Sequence, residues 1–136
     1  MISVPEFIFK DYQRDARDFT MVHPYLLVIM EYIRFNAWLL YNDHCVITSI
    51  YRNDGSTHDT KPPYIRSDIA IPYKAGVEGA EKIRTLTNIA FPYGKKLNGK
   101  DGETVIPLDH GTGPHLHVQI SPKWVLEENK LESKLA

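Results

Sequence analysis

Two histidines one residue apart, His115 and His117, stand in the segment Pro114-His-Leu-His-Val-Gln-Ile120. Its alternation of polar and apolar residues predicts a strand over residues 115–120. Period-two geometry puts His115, His117 and Gln119 on one face, and Leu116, Val118 and Ile120 on the other, toward a core. The rise of a strand separates the two histidines by about 7 Å at Cα, so both imidazoles can serve one small site. Neutral imidazole is a common metal ligand, and together with carboxylate it suits zinc. The competing reading is a polar, solvated sheet face.

A second group lies upstream, at His58 and Asp68. Asp68 enters an apolar run, with Ile69-Ala70-Ile71 directly after it. An acid in that position is costly unless it is paired or ligates a cation. An ion pair with Arg66 or Arg52 is the alternative. His58 sits in a polar loop. Together, His58, Asp68 and one histidine of the 115–117 pair would leave the fourth position of a tetrahedral zinc open, the pattern of a catalytic site. The single cysteine, Cys45, excludes an intrachain disulfide and a cysteine-rich zinc module. Its position at a strand entry predicts a packed, inert thiol despite the neighbouring His44. Gly94-Lys-Lys-Leu-Asn-Gly-Lys100 has the wrong order and spacing for a phosphate loop.

The elements that must position these residues follow from periodicity. Pro24 sits where a helix can start. Leu26, Met30, Ile33, Ala37 and Leu40 then mark one helical face, widened by Leu27, Val28, Leu39 and Tyr41 into a largely buried helix that ends at Asn42-Asp43. Residues 45–51 are β-branched-rich and predict a strand. Residues 53–63 read as a loop. Residues 64–71 alternate as a second strand, with Ile65, Ser67, Ile69 and Ile71 on one face and Tyr64, Arg66, Asp68 and Ala70 on the other. Residues 75–90 fit a helix with Val77, Ala80, Ile83, Leu86 and Ala90 in phase. Residues 91–103 form a loop, 104–108 a strand, and 111–114 a turn before the His-x-His strand. Residues 1–22 read as an irregular lead-in with a short helix, and the tail after Ser121 as a helix with a frayed end. Short connections favour antiparallel pairing. The expected fold is one α+β domain over residues 1–136, a small antiparallel sheet with flanking helices.

Composition narrows the partners. A 43% hydrophobic, 24% charged chain of 136 residues can bury a real core. A net charge of −1 gives no basic field for nucleic acid. The most apolar stretch, residues 25–41, is interrupted by Glu31, Arg34 and Asn36, which argues against membrane insertion. The N-terminus lacks a basic region followed by an apolar run, so synthesis in the cytoplasm without a signal peptide is expected.

The order Val46-Ile-Thr-Ser-Ile-Tyr-Arg52, then Ser56-x-His58, then Asp68-Ile69, then a terminal His-x-His strand resembles the zinc D,D- and L,D-peptidases that cut peptidoglycan stem peptides. More broadly it resembles the superfamily joining D-Ala-D-Ala carboxypeptidases, hedgehog-type domains and lysostaphin-type endopeptidases. The resemblance covers about residues 22–121, leaving 1–21 as lead-in and 122–136 as tail. It implies a hedgehog or D,D-peptidase-like fold with zinc held by His58, Asp68 and His117, and substrate bound by Arg52 with Ser56 in support. The nine residues between His58 and Asp68 make this loop longer than is usual in the family. The carboxypeptidase branch carries a general-base Glu where this chain has Pro114. Gly111-Thr-Gly-Pro-His-Leu-His117 instead resembles the closing motif of the lysostaphin branch, which implies His115 as general acid/base and His117 as the ligand. Asp109 and His110 could orient His115 or hold substrate, or simply form the turn before the strand.

The function these features imply is zinc-dependent hydrolysis of peptidoglycan peptide, as in a phage or prophage cell-wall hydrolase reaching the wall by release or virion delivery. The alternative is a non-catalytic member of the same fold, acting as a binding or phage-assembly module.

Overall fold

The computed structural model of the protein describes residues 3–50, 64–70, 76–91, 104–108 and 115–120. Within them the order is β1 (Ile8–Phe9), α1 (Tyr12–Phe19), α2 (Pro24–Tyr41), β2 (Val46–Ser49), β3 (Arg66–Ala70), α3 (Gly76–Ala90), β4 (Val105–Leu108) and β5 (His115–Gln119). The strands form one sheet in the order β1-β2-β3-β5-β4.

The helix–strand–strand–helix–strand–strand sequence expected from periodicity is present from α2 to β5, and β2, β3, β5 and β4 are antiparallel neighbours. The sheet as a whole is mixed, because β1 runs parallel to β2. The lead-in is thus more ordered than its sequence suggests. A two-residue strand is too short to show alternation, and its place comes from elsewhere in the fold. Arg34, buried on α2, donates from Nη1 to the carbonyls of Val4 and Pro5 at 3.1 and 2.6 Å. It also pairs with Glu31, and its guanidinium lies over the rings of Phe7 and Phe35. Several buried donors on one planar cation hold the incoming chain against α2.

α2 begins and ends as its residues dictate. Pro24 opens the helix, where its missing N–H is no loss, and His23 caps it by accepting from the Tyr25 N–H through Nδ1 at 3.1 Å. Asn42 closes it in the left-handed region at φ 53°, ψ 40°, a conformation asparagine tolerates, and returns its N–H to the last turn. Leu26, Ile29, Met30, Ile33 and Ala37 are buried. Val28, Leu39 and Leu40 are exposed, so the buried face is narrower than the apolar pattern implied. The helix packs with one stripe against a sheet, and apolar residues off that stripe remain at the surface.

α3 starts at Gly76 with φ +64°, which a side chain would resist. Its buried residues include Ala80, Ile83 and Thr87, whereas Val77 is exposed. α2 and α3 contact each other and both contact β5. The core joins them to Ile47, Ile69, Val105, Leu116, Val118 and Ile120, so the apolar face expected for the last strand faces the interior. The tail, the turn at 111–114 and the loops at 53–63 and 92–103 lie outside the described residues.

One contact ties α3 to β4. The Asn88 amide donates to the Val105 carbonyl at 3.1 Å and accepts from the Val105 N–H at 2.8 Å, imitating the exchange between paired strands. Asn88→Ala removes both bonds, and at the usual worth of a hydrogen bond it should lower stability by about 1–3 kcal/mol. A urea midpoint equal to that of the unmodified chain would refute this anchoring role.

Candidate functional site

The antiparallel pairing of β3 with β5 decides what can meet. Register aligns Arg66 with Gln119, Asp68 with His117, and Ala70 with His115. β2 adds Ser49 opposite Asp68, and β4 adds Ile106 opposite His117. Alternation puts Asp68 and His117 on the sheet face opposite the one bearing Ile69 and Leu116. Cross-strand partners of this kind sit with their Cβ atoms about 4.5–5.5 Å apart, within easy reach of each other.

The side chains do meet. His117 Nδ1 lies 3.0 Å from Asp68 Oδ1, and His117 Nε2 lies 3.1 Å from Gln119 Oε1. Asp68 is 4% exposed, His117 5% and Gln119 1%. This face is therefore no solvated polar surface. A buried carboxylate needs a donor or a cation, and Asp68 has the imidazole of His117. Arg66 lies two residues before Asp68 on β3, at the register position opposite Gln119. Burial lowers the pKa of the Arg66 guanidinium. Neighbouring backbone is pinned as well: Thr48 Oγ1 donates to the Asp68 carbonyl, and Ser67 Oγ to the Ser49 carbonyl, both at 3.2 Å.

Asp68 and His117 are two of the three ligands anticipated from sequence. Metal bonds of about 2.0–2.1 Å at a tetrahedral angle separate two ligand atoms by about 3.3 Å. A spacing of 3.0 Å between Nδ1 and Oδ1 is within a few tenths of that, and the donor set, imidazole nitrogen with carboxylate oxygen, suits zinc. The same spacing also makes an ordinary hydrogen bond between the two groups, with no cation needed to bring these atoms together. Among the described residues no group of three histidine, cysteine or carboxylate side chains converges on one point. His58, Arg52, Ser56, Asp109 and His110 lie outside the described residues. His115 is placed by its backbone, two positions from His117 on β5 and opposite Ala70 on β3 and Leu108 on β4.

Neither Gln119 nor Ser49, the residue level with Asp68 on β2, has a role assigned from the sequence. Gln119 was visible there as the next residue on the histidine face. Ser49 was not, because only strand pairing brings it level with Asp68.

Cys45 is buried at the entry to β2, and burial, reinforced by the Asp43 carboxylate, pushes its thiol up to about 12. A thiol whose folded pKa is raised this far carries almost no thiolate at pH 8, so it is a poor nucleophile. Ellman's reagent at pH 8 should label it only as fast as the chain opens, with a large acceleration in denaturant. Rapid stoichiometric labelling of the folded protein would contradict this assignment.

No family model, no curated protein and no solved structure matches this chain.

Proposed function

We propose that the chain is a zinc-dependent peptidase acting on peptide bonds of bacterial peptidoglycan stem peptides. The observation that carries the reading is the buried Asp68–His117 pair, aligned across β3 and β5 with its donor atoms 3.0 Å apart. It joins the motif order of the sequence, in which His58 is the third ligand. A bound zinc ion supplies Lewis-acid polarisation of the scissile carbonyl and a water acidic enough to attack near neutral pH. The chain's own residues do the rest. His115 accepts the proton of the attacking water and returns it to the leaving amine, a task suited to an imidazole, which can both accept and donate. Arg52 holds a carboxylate or carbonyl of the substrate through its planar set of donors, with Ser56 as a further contact. Asp109 and His110 support His115 from the preceding segment.

A second reading is favoured by one observation. Asp68 and His117 hydrogen-bond each other directly, as expected of a binding module that keeps the fold without the chemistry.

Zinc titration and assay on purified peptidoglycan separate the two. The peptidase reading expects stoichiometric zinc and release of free amines from peptidoglycan. His117→Ala should abolish zinc retention and activity together. His115→Ala should keep zinc while lowering kcat about 10²–10⁴-fold, the usual contribution of a general acid/base. Zinc binding without turnover on any stem peptide, or full activity in the His117 variant, overturns it.

A further inference from the structure

The imidazole of His117 is held at both nitrogens. Asp68 faces Nδ1 at 3.0 Å, and Gln119 Oε1 faces Nε2 at 3.1 Å. Gln119 is 1% exposed and lies two residues along β5 on the face that carries His117. A burial this complete is unusual for glutamine, whose amide is costly to remove from water unless bonded.

A neutral imidazole ligates a metal through the nitrogen that lacks hydrogen, so its hydrogen must sit on the other one. Asp68 stands on the Nδ1 side of the ring. A cation shared by Asp68 and His117 therefore takes Nδ1, and the hydrogen belongs on Nε2, pointing at the Gln119 carbonyl oxygen. We infer that Gln119 is a positioning residue that sets the tautomer and ring orientation of His117 for metal binding through Nδ1. This rests on the reading of Asp68 and His117 as ligands, and extends it to a residue that touches neither metal nor substrate.

The amide fits the task in a way its alternatives do not. With Nε2 protonated, its oxygen accepts. Turned over, its NH₂ donates to an unprotonated Nε2 while Asp68 accepts from Nδ1–H, so the same side chain serves the ring with or without a cation. A glutamate in its place only accepts, and adds a second buried negative charge beside Asp68. A leucine does neither. Outer partners that hydrogen-bond a ligating histidine fix its tautomer and raise its basicity, and their loss typically weakens metal affinity about 10–100-fold.

Chelator-competition titration of zinc on the full chain tests the inference. Gln119→Leu should bind zinc about 10–100-fold more weakly than the unmodified protein. Gln119→Glu, which keeps the acceptor, should recover most of that loss. Nitrogen-15 NMR of the unmodified protein gives an answer independent of any variant's folding. In the zinc-loaded chain the His117 ring hydrogen should reside on Nε2. Zinc affinity unchanged in a folded Gln119→Leu chain overturns the role of Gln119 alone, whereas a ring hydrogen on Nδ1 with zinc bound overturns it together with shared ligation by Asp68 and His117. Failure of the unmodified chain to bind zinc overturns it together with the ligand reading.

Discussion

A carboxylate withdrawn from water must find a donor or a cation, and the geometry of this sheet is arranged around one such group. Asp68 lies at the middle of β3 and is almost fully buried. Its surroundings are decided by register, because β5 brings His117 level with it and β2 brings Ser49. A slip of one residue between β3 and β5 would turn His117 into the core and bring Leu116 to the carboxylate. The core forbids that slip. Leu116, Val118 and Ile120 bury their side chains on the face opposite His117, and exchanging the faces would bury imidazoles among Ile47, Ile69 and Ile83. Apolar packing on one side of the sheet thus holds a polar pair together on the other.

The peripheral elements serve the same alignment. β5 lies between β3 and β4, so its position depends on both neighbours. β4 is short, with only four residues to pair, and α3 reinforces it through Asn88, which bonds both backbone groups of Val105. Thr104 Oγ1 donates to the Phe91 carbonyl just past the end of α3. At the far side of the sheet, β2 is flanked by a two-residue strand that Arg34 secures from α2. These polar contacts at the edges add to apolar packing that continues from the centre, with Val105 of β4 and Phe7 beside β1 in the same core.

The chemistry open to this arrangement depends on what lies between Nδ1 of His117 and Oδ1 of Asp68. With a hydrogen there, the pair is a buried hydrogen bond and contributes only to structure. With a cation there, the same two atoms are ligands, and the hydrogen moves to the nitrogen facing Gln119. The imidazole permits either state because it has two nitrogens and one mobile hydrogen. The amide of Gln119 permits either because it can donate or accept. The cluster is therefore compatible with a metal centre without requiring one, and the buried thiol of Cys45 offers no competing nucleophile.

Much of this was legible in the order of residues. Proline and asparagine marked both ends of α2, alternation identified β3 and β5, and the polar stripe of β5 named His115, His117 and Gln119 as neighbours on one face. These are local properties, set by backbone geometry over a few residues, and they survive without knowledge of the rest of the chain. The short β1 was not legible, because two residues carry no period and its partners, Val46 and Ile47, lie far along the chain. The width of the buried face of α2 was overestimated, because apolar residues mark what can be buried and only the neighbouring layer decides what is. Sequence alone determined that Asp68 and His117 were groups in need of partners. Only the tertiary structure decided that they are each other's partners, because register between strands 49 residues apart is settled by packing of the whole sheet against its helices.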